Sequence, residues 1–498
     1  MKKTLWLLLF VLALPTFAKD SKHFTQKIEA TVADFEIEKR FSGAILVAEG
    51  DQVIYKKGVA KANHTFGIGN QTDTAFLVGS ISKQFTSMII LQLVQEGKME
   101  LNAPIGTWFP EFPPYKKEKI TVHHLLSHSS GLPHYRGLAE IGIDLETYDR
   151  VNRPLEEYAK AIGNMNLLWE PGTRYQYSSQ GYILLGIIAQ KVTNKSFDQL
   201  IQERISKPLG LKNTGFAYNE RIVPGLANAY HYGIQQSDEG LLSMGYANAE
   251  YRDQTNTFCT GGVHSTVEDL FLWSRALWTN QLLGQELREK MFTVQAKPYG
   301  YGWFISNPSA WGLGEDDSVI NHGGATTGYR AQIAMLNRGA FTIIVLGNTS
   351  NSRSTALAQS ISQVLNGKEP RPANILGTAV TWRFVSHGKE EAFALFEKSK
   401  ESNRYLKNDY AFYANADRLL SFGKPDMALN IAEMGLRLYP NSGALYLNLG
   451  DIAVAKGLHK DAMAHFQKAY DLALEFPDEN QGVKDEAKEK MESKGSQN

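Results

Sequence analysis

Ser80-Ile81-Ser82-Lys83 places a hydroxyl and an amine three residues apart. The stretch lies where a strand-like run ending in glycine, Phe76-Leu77-Val78-Gly79, gives way to the helical run Gln84 to Leu91. On a helix, residues three apart share a face about one turn from each other. The chemistry on offer is nucleophilic catalysis: a serine beside a proton acceptor, at a helix N-terminus whose dipole favours developing negative charge. The plain alternative is Ser80 as an N-cap and Lys83 as a solvated first-turn lysine. The tetrapeptide alone does not separate the two, because two of its four positions are free.

A nucleophilic serine also needs donors for an oxyanion and an acid for the leaving group. Two stretches offer them. Pro171 to Tyr182 is a polar, tyrosine-rich loop feeding a helix. Asn321-His322-Gly323-Gly324-Ala325-Thr326-Thr327-Gly328-Tyr329 is a glycine-rich approach to a strand, whose missing side chains let backbone N–H groups approach a ligand.

These elements need a scaffold. Ala44–Ala48 and Val53–Tyr55, split by Gly50-Asp51, read as a hairpin, as do Ala331–Leu336 and Phe341–Leu346 around Asn337-Arg338-Gly339. Helical patterns lie between them at Lys83–Gln95, Gly181–Lys191 and Val267–Trp278, and Ser354–Leu365 closes the unit. The expected fold is α/β of the α+β kind: an antiparallel sheet whose first and last strands share a layer, with a helical block beside it. Residues 135–153 and 219–251 read as loops that would shape subsites.

The chain is 498 residues long, with 52 basic and 52 acidic side chains, so no charge excess points to nucleic acid or an anionic membrane surface. Lys2, Lys3, the apolar run Leu5–Leu14 and Thr16-Phe17-Ala18 read as an export signal over residues 1–18, and the run is too short to span a membrane. The expected location is periplasmic or secreted, with no membrane span after cleavage. The only cysteine, Cys259, has no partner for an internal disulfide and reads as a buried side chain.

A catalytic unit over residues 19–366 is followed by a Pro-Gly linker, 367–373, and a helical region, 374–476, with a charged tail at 477–498. Gly423 and Gly457, Ala428 and Ala462, and Phe412 and Tyr446 each lie 34 residues apart, the period of tetratricopeptide repeats. Such helices would bind a protein or peptide partner or dock on the catalytic unit.

With five segments in order, the chain from about residue 30 to 366 resembles the serine β-lactamase and penicillin-binding-protein superfamily, nearest its class C β-lactamase, esterase and D-stereospecific peptidase branch. The segments are Phe76–Thr86, Leu125–Pro133, Pro171–Gly186, Gly261–Thr266 with Asp269 and Trp273, and His322–Tyr329. The resemblance implies Ser80 as the acylated nucleophile, Lys83 as its paired lysine and Tyr177 as the tyrosine of Tyr-x-Asn. It leaves open whether Lys83 or Tyr177 is the base; a cationic Lys83 would lower the pKa of Tyr177. It implies an oxyanion hole at the N–H groups of Ser80 and Ala325, with His322 and Gly324 in the Lys/His-x-Gly element.

Ser179 stands where that family has asparagine. Together with His322 it points away from efficient β-lactam turnover and towards the esterase and peptidase relatives. No cofactor is implied. His123, His124, His128 and His134 look like a metal cluster, but the Leu125–Pro133 stretch is a feature of that family that needs no metal and no His-Glu-x-x-His pattern appears, so no metal is expected. With the export signal, the resemblance thus implies an exported serine hydrolase acting through an acyl-enzyme on Ser80, on ester, amide or β-lactam carbonyls; the rival readings are a β-lactamase or cell-wall D-Ala-D-Ala peptidase proper, and a non-catalytic scaffold working through its repeats.

Overall fold

A computed structural model describes residues 21–495. The export signal therefore lies outside the described residues. Among those residues, no helix is long and apolar enough to cross a membrane.

The centre is a six-stranded antiparallel sheet in the order Phe304–Ser306, Val319–Thr326, Tyr329–Leu336, Phe341–Gly347, Gly43–Glu49, Gln52–Val59. The first strand pairs with the last, from Gly43 opposite Gly347 to Glu49 opposite Phe341. Side chains alternate across a strand, and here both faces are buried. Ala44, Leu46 and Ala48 join the core shared with the large helical block, whereas Ile45 and Val47 join a second core with Ile28, Val32 and Phe35 of the Ser21–Ile37 helix and Leu357 and Ile361 of the Ser354–Leu365 helix. The molecule thus has helices on both faces of the sheet, where the sequence pattern revealed only the block on one side.

Two helices of the block matter for the site. Ser82–Gln95 is buried almost all round, as its Met88–Leu91 run requires. Ser179–Thr193 starts at Ser178, whose hydroxyl accepts the Gly181 N–H, and stops at Asn194 in the left-handed region. Segment 219–251 holds more order than its polar composition suggests: Tyr230–Gln236 and Leu242–Asn248 form a two-stranded hairpin.

Beyond the linker lie helices Leu376–His387, Lys389–Ser399, Asp409–Ser421, Pro425–Leu438, Gly443–Ala455 and His459–Glu475, packed as successive pairs that fit helical repeats. Gly423 and Gly457 occupy equivalent left-handed turns, and Ala428 and Ala462 are both buried. A Cβ on Gly450 would sit 2.2 Å from the Phe466 ring, so close helix approach demands glycine there. The charged tail contributes one more helix, Val483–Gly495, which buries Val483 and Ala487 against its neighbours.

The C-terminal helices sit on the catalytic unit. Ile234 of the hairpin is buried among them, Arg418 donates to the Ile234 carbonyl (3.3 Å), and Tyr232 meets Trp382 edge-on.

Candidate active site

Ser80 occupies a tight 3₁₀ turn, Gly79–Ile81, wedged between the short strand Phe76–Leu77 and the Ser82–Gln95 helix. It makes no capping bond; the helix is preceded by Ile81, which has no cap side chain. The N-cap reading of Ser80 is therefore excluded. The solvated reading of Lys83 fails as well, because its side chain is fully buried.

Lys83 Nζ donates to Ser80 Oγ at 3.2 Å and to the Thr260 carbonyl at 3.0 Å. Burial disfavours its charged form and lowers its pKa to about 7. An amine poised there is neutral for much of the time at neutral pH. It can then keep an N–H on Thr260 while its lone pair takes the Ser80 proton.

Tyr177 closes the other side. Lys83 Nζ stands 5.0 Å from the centre of its ring. Burial raises the Tyr177 pKa; the Ser80 hydroxyl opposes this only in part. The expectation of a Tyr177 pKa lowered by a cationic Lys83 is thus reversed, because both groups are buried and each is driven towards its neutral form. A phenol in this state can give a proton but is a poor base.

Glycine controls the approach of the next strand. A Cβ on Gly79, itself in the left-handed region at φ +54°, would lie 2.6 Å from Ala325 N; one on Gly324 would lie 1.9 Å from Val78 O and 3.3 Å from Ser80 N. The Ser80 turn and the His322–Ala325 strand therefore meet backbone to backbone, with the Ser80 and Ala325 amides at the same junction.

His322 is buried beside it. Its Nδ1 lies 2.6 Å from the Gly323 carbonyl and its Nε2 2.8 Å from the Tyr299 hydroxyl. A carbonyl only accepts, so Nδ1 carries the proton and Nε2 accepts from Tyr299. Burial, with Lys83 nearby, lowers the His322 pKa to about 3, so the ring is neutral.

Ser80, Tyr177, His322, Gly324 and Ala325 line one cleft of about 570 Å³, with Lys83 beneath Ser80. Ser179 does not line it. Ser179 is the first residue of its helix, buried, and donates its N–H to His134 Nδ1 at 3.2 Å.

Three supporting groups escaped the sequence reading. The Thr260 carbonyl, which anchors Lys83, sits one residue before the Gly261–Thr266 segment. Tyr299 orients His322 through its hydroxyl. His128 read only as part of a histidine group; its ring packs 4.3 Å from Tyr177 and its Nδ1 accepts the Ser178 N–H. The four histidines have separate tasks: His123 meets the Tyr301 hydroxyl, and His124 completes the cap around Thr121. Asp269 accepts from the Asn213 N–H and the Thr214 hydroxyl and so ties its helix to that loop, while Trp273 donates to Gln84 and stacks on Phe85, bracing the serine helix. Cys259 is buried with its thiol pushed up by burial, consistent with an inert side chain.

Residues 24–365 match the family model described as Beta-lactamase. The chain belongs to the beta-lactamase family. Penicillin-binding protein 4* of Bacillus subtilis is 27% identical over 70% of this chain and 79% of its own length. Esterase EstB of Burkholderia gladioli is 25% identical over 62% of this chain and 87% of its own length. Among solved structures, the octameric penicillin-binding protein homologue from Pyrococcus abyssi superposes with TM-score 0.58 at 27% identity, covering 70% of this chain and 78% of that one. D-amino acid amidase from Ochrobactrum anthropi shares the fold at TM-score 0.58 and 19% identity, covering 69% of this chain and 99% of that one. The chain is accordingly a serine hydrolase of the β-lactamase-related family.

Proposed function

We propose that this chain is an exported serine hydrolase that acts through an acyl-enzyme on Ser80, on substrates carrying an ester or amide carbonyl. One observation carries the reading: a buried Lys83, with its pKa brought down to about 7, lies 3.2 Å from Ser80 Oγ.

Neutral Lys83 takes the Ser80 proton as Oγ bonds to the carbonyl carbon. The oxyanion accepts from the Ser80 and Ala325 N–H groups. Tyr177, held as a phenol, gives its proton to the leaving group as the carbonyl–heteroatom bond breaks, and the proton held by Lys83 then passes to the tyrosinate beside it, leaving both groups neutral. Water then attacks the acyl-enzyme, Lys83 takes its proton, and Ser80 leaves with a proton returned. Neutral His322, fixed by Tyr299, forms part of the cleft wall and adds no charge there.

The esterase and penicillin-binding-protein relatives support the ester and amide classes. Ser179 and the neutral His322 weigh against efficient β-lactam turnover, since neither offers the amide or cation that the family places there. A panel of p-nitrophenyl esters, D-Ala-D-Ala peptides and nitrocefin tests this. Turnover of esters or peptides above nitrocefin is the expected order; nitrocefin as the best substrate by ten-fold would replace it with the β-lactamase reading. Export is tested by fractionating cells that express the full chain, with the mature form beginning after Ala18 as the expected product.

A further inference from the structure

The cleft has two walls, and the far one is tied to the C-terminal helices. Besides Ser80 and Tyr177 the cleft is lined by Arg330 of the Tyr329–Leu336 strand and by Ser352, Arg353, Ser354 and Thr355, at and just before the start of the Ser354–Leu365 helix. No ion pair is recorded for Arg353 among the described residues. Its guanidinium instead donates to the linker, to the Ala373 carbonyl at 2.7 Å and the Pro372 carbonyl at 3.5 Å, and its N–H donates to the Arg40 carbonyl at 2.8 Å.

The linker is itself fixed. Arg40 donates from Nε and Nη2 to Asn374 Oδ1 at 2.8 and 2.6 Å, and lies 4.2 Å over the Trp382 ring of the first C-terminal helix. Asn374 Nδ2 donates to Glu38 at 2.7 Å. Two cationic side chains, Arg40, buried, and Arg353, half-buried, thus lie near each other. Burial lowers the pKa of both, with Arg353 a further cause at Arg40. They are held by neutral oxygens of Pro372, Ala373 and Asn374, where the linker meets the helical region.

A second tie reaches the same wall. The Tyr230–Gln236 strand bonds to the segment leading into Ser352: Tyr230 N to the Asn348 carbonyl at 3.0 Å, and Ser350 N to the Tyr230 carbonyl at 2.9 Å. The other end of that hairpin is held by Arg418 on the Ile234 carbonyl and by Gln236 Nε2 on the Phe422 carbonyl at 3.0 Å. Both routes begin in the C-terminal helices and end between residues 348 and 353.

We propose that the C-terminal helical unit is a specificity element, which fixes the far wall of the cleft and so selects the part of the substrate that extends beyond the reacting carbonyl. Asn374 and Arg418 are its positioning residues. Neither touches Ser80, Lys83 or Tyr177, so the chemical step on a small substrate does not depend on them. The inference rests on the hydrolase reading of the cleft.

The test uses the full chain and the variants Asn374→Ala and Arg418→Met, with p-nitrophenyl acetate and p-nitrophenyl octanoate as substrates. For the acetate, kcat and KM stay within about two-fold of the parent. The octanoate-to-acetate ratio of kcat/KM shifts at least about five-fold, mainly through KM, as expected when a pocket wall moves. Hydrogen exchange across residues 348–356 quickens in both variants. Unchanged ratios and unchanged exchange in both folded variants overturn the proposal. If the parent hydrolyses neither ester, the hydrolase reading fails separately, and exchange at 348–356 alone decides whether the C-terminal unit holds this wall.

Discussion

Lys83 Nζ and Ser80 Oγ lie 3.2 Å apart, with the lysine buried and anchored on the Thr260 carbonyl. The pair is set by a single turn of chain and by a carbonyl far away in sequence. Removing the amine removes the base. Lys83→Met is expected to lower kcat/KM for esters by about 10³-fold or more while the protein stays folded. Lys83→Arg gives no rescue, since a guanidinium does not deprotonate. Steady-state kinetics with circular dichroism on the same samples checks both.

The same lysine sets the pH dependence. Its folded pKa is lowered to about 7, and the base must be neutral to act. The rate kcat/KM therefore rises as pH increases through about 7 and levels off above it. The sign is the same for stability. The unfolded chain holds this proton up to a higher pH than the folded one, so the lysine contribution makes the fold more stable as pH rises from about 7 towards the ordinary lysine value near 10.4. A pH–rate profile on an ester measures the first, and denaturant melts across that window measure the second in the difference between parent and Lys83→Met.

Tyr177 is kept as a phenol by burial. Tyr177→Phe deletes the proton donor and spares the base. Amide substrates, whose leaving group must be protonated, are expected to lose at least about 100-fold in kcat/KM, within the usual range for a general acid. p-Nitrophenyl esters, whose leaving group departs as an anion, lose far less. Equal losses for both substrates would remove Tyr177 from the donor role.

Gly324→Ala would place a Cβ 1.9 Å from the Val78 carbonyl and drive the strand away from the Ser80 turn. Separating the two amides is expected to cost about 3 kcal/mol of transition-state stabilisation, or roughly 100-fold in kcat, with smaller change in KM. The check is kinetic, with the unfolding midpoint reported alongside.

Much of this was legible in the chain. Four strands of the sheet and the helical block on one side follow from alternation and helical spacing, and Ser80, Lys83, Tyr177 and His322 from five motifs in order; the Ser21–Ile37 helix and the cleft wall at 352–355 do not. What stayed hidden was contact across long sequence distance. Thr260 on Lys83 and Tyr299 on His322 join segments far apart in sequence through a backbone oxygen and a ring nitrogen, and neither leaves a pattern in composition. The hairpin at 230–248 was hidden because its Gly, Gln and Tyr residues lack the apolar alternation of an ordinary strand; it is held by the C-terminal helices that cover Ile234 and Met244. The direction of the Tyr177 shift was misjudged because the sequence shows that Lys83 is near but not that both groups are dry.

The central claim is covalent, and mass decides it. The folded full-length protein is incubated with a fluorophosphonate, and peptides are mapped beside a Ser80→Ala control. A single adduct on Ser80, absent from the control and slowed in Lys83→Met, is the expected result. No adduct on Ser80 in folded protein, or equal labelling of the Ser80→Ala variant, would contradict the acyl-enzyme account.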